Sequence, residues 1–295
     1  MNGKCQILLS TYNGEAYVRE LLDSILKQDY SNLEILIRDD GSKDTTIKIL
    51  KEYEHKYSNI RVVYGDNVGV SGSFTILLNM MNKSCEYFAF ADQDDIWKYN
   101  KISQAILYLD RNKADLYCGH AALVTKDLNE IHYDLYKDVD IRPSFGNAII
   151  ETISPGCTLL WNKKLMSLYM DNRKPTKMVI HDQWMYLLAT AFCNVVYDAT
   201  PYILYRQHNN TIGSPISFKN RLIRVLSKLK IMRKSIDIQL NEFIKCYQLP
   251  CSEAELVKII LDKSLFGRIK MFFDSKIYRQ KKVDTIIYKI LLLIF

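Results

Sequence analysis

The sequence predicts an α/β fold: a mostly parallel sheet with helices on both faces, followed by a C-terminal helical appendage. Three observations predict it. Short apolar runs alternate with stretches of helical spacing over the first 115 residues. Each run exits into a loop rich in Asn, Asp, Gly and Ser. Beyond Pro215 the composition shifts to a basic tail with helical periodicity.

The elements follow in order. Residues 6–9 read as the first strand. A helix over 15–28 puts Tyr17, Leu21, Leu22, Ile25 and Leu26 on one side. A strand at 33–37 precedes a helix over 44–57, with Ile47, Ile49, Leu50 and Tyr53 as its apolar members. A strand at 60–64, a helix over 73–81, a strand at 87–91 and a helix over 98–111 complete the regular part. Short connections of this kind imply parallel strands. Later, 115–125 and 154–161 read as strands, 180–192 as a helix, and 195–197 and 202–205 as two further strands.

The polar loops all follow strands, so they gather at the carboxyl edge of the sheet, where ligands of such sheets bind. They are Ser10-Thr11-Tyr12-Asn13-Gly14, Asp39-Asp40-Gly41-Ser42, Gly65-Asp66-Asn67-Val68-Gly69 and Asp92-Gln93-Asp94-Asp95. The three carboxylates of the last loop repel one another unless a cation sits between them. Hard oxygen ligands of this type suit Mg²⁺ or Mn²⁺, which can bridge substrate phosphates. A plainer reading has these acids capping the next helix.

Asp39 and Asp40 can accept hydrogen bonds from a base or a ribose, while Ser42 or Asp44 caps the helix behind them. Thr11, Tyr12 and Asn13 can lay backbone groups along a nucleotide, and Asn67 and Gln93 join them as candidate binding residues. Ser71-Gly72-Ser73 is like a phosphate-approach loop, but it lacks the lysine of a P-loop. GxGxxG spacing is absent, which disfavours a dinucleotide site. Asp182 opens a predicted helix; it either complements the helix dipole or serves as a general base. His181 beside it reads as a core or surface histidine. Arg206 and His208, in the stretch Arg206-Gln207-His208-Asn209-Asn210, can meet a diphosphate or its metal.

These pieces together resemble family 2 glycosyltransferases of the Rossmann-like GT-A fold. The matching segments are Leu9-Ser10-Thr11-Tyr12-Asn13-Gly14, Arg38-Asp39-Asp40-Gly41-Ser42, Asp92-Gln93-Asp94-Asp95-Ile96-Trp97, Pro155-Gly156-Cys157-Thr158, His181-Asp182-Gln183-Trp184 and Tyr205-Arg206-Gln207-His208. They are most similar to bacterial enzymes that add rhamnose or a related sugar during surface polysaccharide synthesis, in capsule or lipopolysaccharide. The resemblance implies that Asp39 and Asp40 hold the base and ribose of a nucleoside diphosphate. It implies that Asp92 and Asp94 form the DxD motif, one near the ribose and the other on the metal. Asp182 corresponds to the base of inverting members, and His208 to a position that reaches the metal or diphosphate. The QxxRW motif of processive synthases is missing after Asp182, which implies one sugar per event. The donor implied is dTDP-rhamnose or a UDP-sugar, and the acceptor is a hydroxyl of a glycan or of a lipid-linked chain. Rival readings are a nucleotidyltransferase and a non-catalytic sugar-nucleotide-binding protein.

Composition supports a folded chain of 295 residues: 48% are hydrophobic, so a sizeable core can form. No apolar stretch follows a basic start, which predicts no signal peptide. The seven cysteines show no CxxC pair, as expected of reduced thiols in the cytoplasm. Net charge is +7 and uneven, with 17 Lys and Arg against 7 Asp and Glu from Ile216 onward. A domain boundary at 215 is therefore expected, with a nucleotide-sugar transferase domain over 1–215 and a tail over 216–295. Phe218, Leu222, Val225, Leu229, Met232 and Ile236 mark an amphipathic helix whose remaining positions are largely basic. Ser252 and Glu255 are like a capping box. The tail is expected either to bind an anionic membrane on its cytoplasmic face or to pack on the catalytic domain or a second subunit in a homo-oligomer. No nucleic-acid motif accompanies the charge.

Overall fold

The computed structural model describes residues 3–131, 139–207 and 218–294. The first half forms as the sequence predicts. β1 (Cys5–Thr11), α1 (Val18–Leu26), β2 (Leu33–Asp39), α2 (Thr46–Lys56), β3 (Ile60–Tyr64), α3 (Gly69–Asn79) and β4 (Tyr87–Asp92) alternate. Their strands are all parallel, in spatial order β3-β2-β1-β4.

Next come β5 (Ile96–Trp97), α4 (Lys101–Asn112), β6 (Leu116–Val124), α5 (Phe145–Ile150), β7 (Leu160–Asn162), α6 (Lys163–Asp171), α7 (His181–Phe192) and β8 (Val195–Arg206). β7 runs antiparallel between β4 and β6, β8 is parallel to β6, and β5 closes the edge antiparallel to β8. The result is one mixed, mostly parallel eight-stranded sheet.

Both faces of the sheet are covered, which is why its central strands read as continuous apolar runs. Ile7, Leu9, Ile35 and Ile37 face α1, α2 and α4. Leu8, Leu36, Phe88 and Phe90 face the other side, against α3, α5, α6 and α7. The tail adds to this second face as α8 (Phe218–Cys246), α9 (Cys251–Leu261), α10 (Leu265–Phe273) and α11 (Lys282–Ile294). Ile236, Leu240 and Phe243 of α8 share one core with Trp161 and Trp184. The buried Trp184 ring lies 5.2 Å from Phe243 and 6.2 Å from Tyr247, centroid to centroid. Truncating an aromatic buried in this way costs ~3–5 kcal/mol.

Several expectations are corrected. Ser71, Gly72 and Ser73 lie inside α3, which starts at Gly69, so they form no phosphate loop. Ser71 Oγ instead donates to the Val179 carbonyl at 2.6 Å, tying α3 to the approach of α7. Residues 154–161 hold a tight 3₁₀ turn, Gly156–Thr158, before the short β7. The two strands expected near 195 and 202 are one strand, β8, whose register against β6 shifts past Gly119. Ser252 caps nothing, because α9 starts at Cys251 behind Pro250. The stripe of α8 is covered where its side chains are described: Ile236 is buried and Met232 packs on the core.

Candidate active site

The loops at the carboxyl edge are locked to one another before any ligand is considered. Asp39 is fully buried; it accepts from Thr11 Oγ1 at 3.0 Å, Ser42 Oγ at 2.6 Å and Ser42 N at 2.9 Å. Asn13, at φ 47°, receives Lys43 N on Oδ1 at 2.8 Å, and its own N–H donates to Ser42 Oγ at 2.9 Å. Gly14 N donates to Thr46 Oγ1 at 2.8 Å. Asp40 pairs with the buried Arg38 guanidinium and accepts from Val68 N at 3.0 Å and Gly69 N at 2.9 Å. Arg38 also donates to the Asp66 carbonyl at 3.0 Å. Gly41 makes this turn at φ +81°, with the Asn67 backbone 3.2 Å from where a Cβ would stand. The first three loops therefore form one frame.

Gln93 joins the acid loop to that frame. Its Oε1 accepts from Tyr12 N at 2.9 Å and its Nε2 donates to Tyr12 O at 3.1 Å. The amide pairs with backbone as a neighbouring strand would. Gly14 leaves room for it, since a Cβ there would stand 2.3 Å from Oε1.

Beside Gln93 the acids cluster. Burial first, then the charges of Asp94 and Asp182, pushes the Asp92 carboxyl upward. Burial and Asp92 do the same to Asp95, which is 1% exposed. Ligand atoms of Asp92, Asp95 and Cys157 all lie within 4.8 Å of one another, and Asp95 Oδ2 is buried without a hydrogen bond. Carboxylates held this way, with an orphaned oxygen, fit a divalent cation. Burial, followed by the charges of Asp95 and Asp92, holds the Cys157 thiol protonated. Below the cluster lies the buried Lys101 amine, 3.6 Å from the Trp97 ring centroid and without a hydrogen bond. Burial lowers it to about 8.

Asp182 enters from the first turn of α7. Burial raises its carboxyl to about 6, against hydrogen bonds from the Gln183 and Gly156 backbones. The Gln183 N–H donates to its Oδ1 at 2.6 Å. A Cβ at Gly156 would stand 3.1 Å from both Asp182 Cβ and His181 Nε2, so any larger residue in the 3₁₀ turn would press on the acid and the ring beside it. His181 stacks on Phe74, with centroids 3.8 Å apart, and burial drops it to about 3. It is a neutral core residue, as the sequence reading favours.

The structure thus brings Asp92, Asp94 and Asp182 into one electrostatic neighbourhood. Tyr12 is 42% exposed at its rim, and Asn67 is exposed on the third loop. Thr11, Asp39 and Asp40 are buried and spend their polar atoms on neighbouring loops. Arg206 is also buried. It donates to the Asp94 carbonyl at 2.9 Å, the Lys126 carbonyl and Glu20 at 2.7 Å, and lies over the Tyr17 ring. It therefore holds the acid loop from behind rather than facing a ligand. His208 lies outside the described residues. The sequence counts Asp95 among the acids of the loop without giving it a role, includes Gly156 and Tyr205 only as parts of matching segments, and does not mark Lys101 at all. The neighbourhood of Tyr205 shows only in three dimensions, where burial first, and then the charges of Cys157, Asp92, Asp95 and Asp94, pushes its hydroxyl pKa up. Lys101 resembles any solvated lysine at a helix start, and nothing in the sequence marks it as buried.

The family model described as "Glycosyl transferase family 2" matches residues 6–191. The chain belongs to this family. It is a glycosyltransferase, and the nucleotidyltransferase reading is set aside. It is 29% identical to the dTDP-rhamnosyl transferase RfbG of Shigella flexneri, over 97% of this chain and 99% of that one. It is 27% identical to an uncharacterized glycosyltransferase of Rickettsia typhi, over 96% of this chain and 94% of the other. Among solved structures, this glycosyltransferase is similar to S. aureus TarS 1–349 in complex with UDP-GlcNAc, with TM-score 0.60 and 20% identity. That match covers 90% of this chain and 73% of TarS 1–349. It is also similar to the mannosyltransferase PcManGT of Pyrobaculum calidifontis in complex with GDP-Man and Mn²⁺. There the TM-score is 0.58 at 14% identity, covering 100% of this chain and 75% of that one. These likenesses give the GT-A fold expected from the sequence.

Proposed function

We propose that this glycosyltransferase moves one sugar from dTDP-rhamnose, or from a UDP-sugar, to a hydroxyl of a glycan or lipid-linked acceptor in surface polysaccharide synthesis. The anomeric configuration inverts, and residues 1–215 carry the reaction. The observation that carries this reading is that Asp92 lies close enough to feel the charges of both Asp94 and Asp182. The RfbG likeness favours the rhamnosyl donor.

The chemistry follows from the residues. Asp92 and Asp94 would hold Mn²⁺ or Mg²⁺, with His208 as a further ligand. Such an ion supplies positive charge against the leaving diphosphate. The frame of Thr11, Asn13, Asp39 and Asp40 fixes the nucleotide-facing backbone, and Tyr12 offers a ring for stacking. Asp182 accepts the proton of the acceptor hydroxyl. At about 6, its carboxyl is ionised at neutral pH yet more basic than an ordinary aspartate. The protein acts in the cytoplasm, at the inner face of the membrane.

The decisive screen is thermal stability in Mn²⁺ with dTDP-rhamnose and with UDP- and GDP-sugars. A donor that binds only the folded chain raises Tm, and the same donor should release nucleoside diphosphate when acceptor is added. A flat response to the whole panel would sink the proposal.

The Gln93 clamp gives a second expectation. Gln93→Leu removes both bonds to Tyr12, a loss of about 1–2 kcal/mol in positioning, so nucleoside-diphosphate Kd should rise about tenfold. Gly14→Ala should do the same by displacing the amide. Calorimetric titration reads both, and unchanged affinity in the two variants would remove the clamp from nucleotide binding.

A further inference from the structure

The sequence marks an amphipathic basic helix at the start of the tail, yet the described part of that helix turns its apolar side into the protein. The unpartnered apolar surface lies farther along. On α10, Leu265, Phe266, Ile269 and Phe273 fall within about 100° of one another around the axis. They are 74%, 76%, 43% and 77% exposed. On α11, Val283, Ile286, Ile287 and Ile290 form a second exposed face. Its opposite side is already used, since Tyr288 and Leu292 are buried in the core. α10 and α11 pack on each other, and Arg268 donates across to the Leu293 carbonyl at 3.0 Å. Eight large apolar side chains left in water on two adjoining helices call for a partner.

Charge identifies it. Residues 263–290 hold eight Lys and Arg against only Asp274 and Asp284. At the start of α11 a cavity of about 1150 Å³ is lined by the apolar Val283 and Ile286 together with Arg142, Arg279, Lys281 and Lys282. Arg142 pairs with Asp140, and Arg279 with Glu151. Among the described residues, Lys281 and Lys282 pair with no carboxylate. Outside the cavity Lys270 pairs with Glu255, whereas Lys276 is exposed without a described ion pair. A second copy of this chain on the same face would set these cations against their equivalents. An anionic bilayer takes both features at once, the apolar face among acyl chains and the lysines among lipid phosphates.

We propose that the α10–α11 face docks this enzyme on an anionic phospholipid bilayer, with Lys281 and Lys282 receiving headgroup phosphates. This rests on the lipid-linked acceptor reading for its purpose but not for its physics. The docking surface also connects to the cleft. Arg279 and the Gln280 N–H, at 2.7 Å, grip Glu151, which leads into the turn beneath Asp182.

Flotation of the full-length protein with vesicles tests it. Wild type should rise with phosphatidylcholine vesicles containing phosphatidylglycerol, less so as salt increases, and scarcely with phosphatidylcholine alone. Phe266→Glu with Phe273→Glu should lower the bound fraction about tenfold or more. Lys281→Glu with Lys282→Glu should abolish the preference for anionic vesicles. Both pairs are surface changes, so Tm and the stability gained with nucleotide sugar should match wild type. Equal flotation of wild type and the Phe pair would overturn the proposal. So would a concentration-dependent dimer, seen by light scattering, that the Phe pair abolishes. Loss of the nucleotide-sugar response with flotation intact would instead strike the transferase reading.

Discussion

Asp182→Asn is expected to leave nucleotide-sugar binding intact and to cut kcat by roughly 10²–10⁴-fold, the range that general base catalysis supplies. Asparagine keeps the shape and the hydrogen bond from Gln183 N–H, but it cannot take a proton. Structure and pH dependence are linked here. Burial raises the Asp182 carboxyl to about 6, and the base works only when ionised. Wild-type kcat/KM should therefore fall as pH drops through that value, well above where an ordinary aspartate would set the limb. Steady-state rates from pH 5 to pH 8 read the limb, and Asp182→Asn should flatten it. Turnover of Asp182→Asn close to wild type would hand the base role to another group.

Metal removal is the second large effect. Excess EDTA, or Asp94→Ala, should reduce transfer by more than about 10³-fold, because the leaving diphosphate loses its counter-charge. Stability carries a matching signal. The folded-state carboxyls of Asp92 and Asp95 are raised by burial and mutual repulsion. The folded metal-free protein thus binds more protons than the unfolded chain above the ordinary aspartate pKa. Its stability is full below that value and is lost as pH rises through the raised values. Melting curves in EDTA should show Tm falling from acidic toward neutral pH. Added Mn²⁺ should offset the fall, since the ion binds the ionised cluster. A Tm independent of both pH and Mn²⁺ would remove the ion from this loop.

Much of this was legible in the chain, for identifiable reasons. β1, β2 and β4 are buried on both faces, so each appears as a mostly apolar run ending in a polar loop. Those loops had to share an edge once the strands were parallel. What could not be read is pairing between distant segments. Thr11, Asp39 and Asp40 look like ligand groups in sequence because their partners, Ser42, Arg38 and the Val68 and Gly69 amides, meet them only in the fold. β5 is too short to show a period and exists through its pairing with Leu204 and Ile203. Gly156 reads as an ordinary turn glycine until Asp182 is set against it. The tail shows the same limit. Periodicity marks the apolar stripe of α8, but it cannot say that the body covers that stripe and leaves the apolar side chains of α10 and α11 exposed.

Calorimetric titration of dTDP and UDP into wild type, Asp94→Ala and Asp182→Asn, each with Mn²⁺ and with EDTA, reaches the centre of the account. It predicts tight nucleotide binding by wild type and Asp182→Asn only when Mn²⁺ is present, and little binding by Asp94→Ala under either condition. Equal affinity in EDTA and Mn²⁺, or undiminished Mn²⁺-dependent binding by Asp94→Ala, would contradict it.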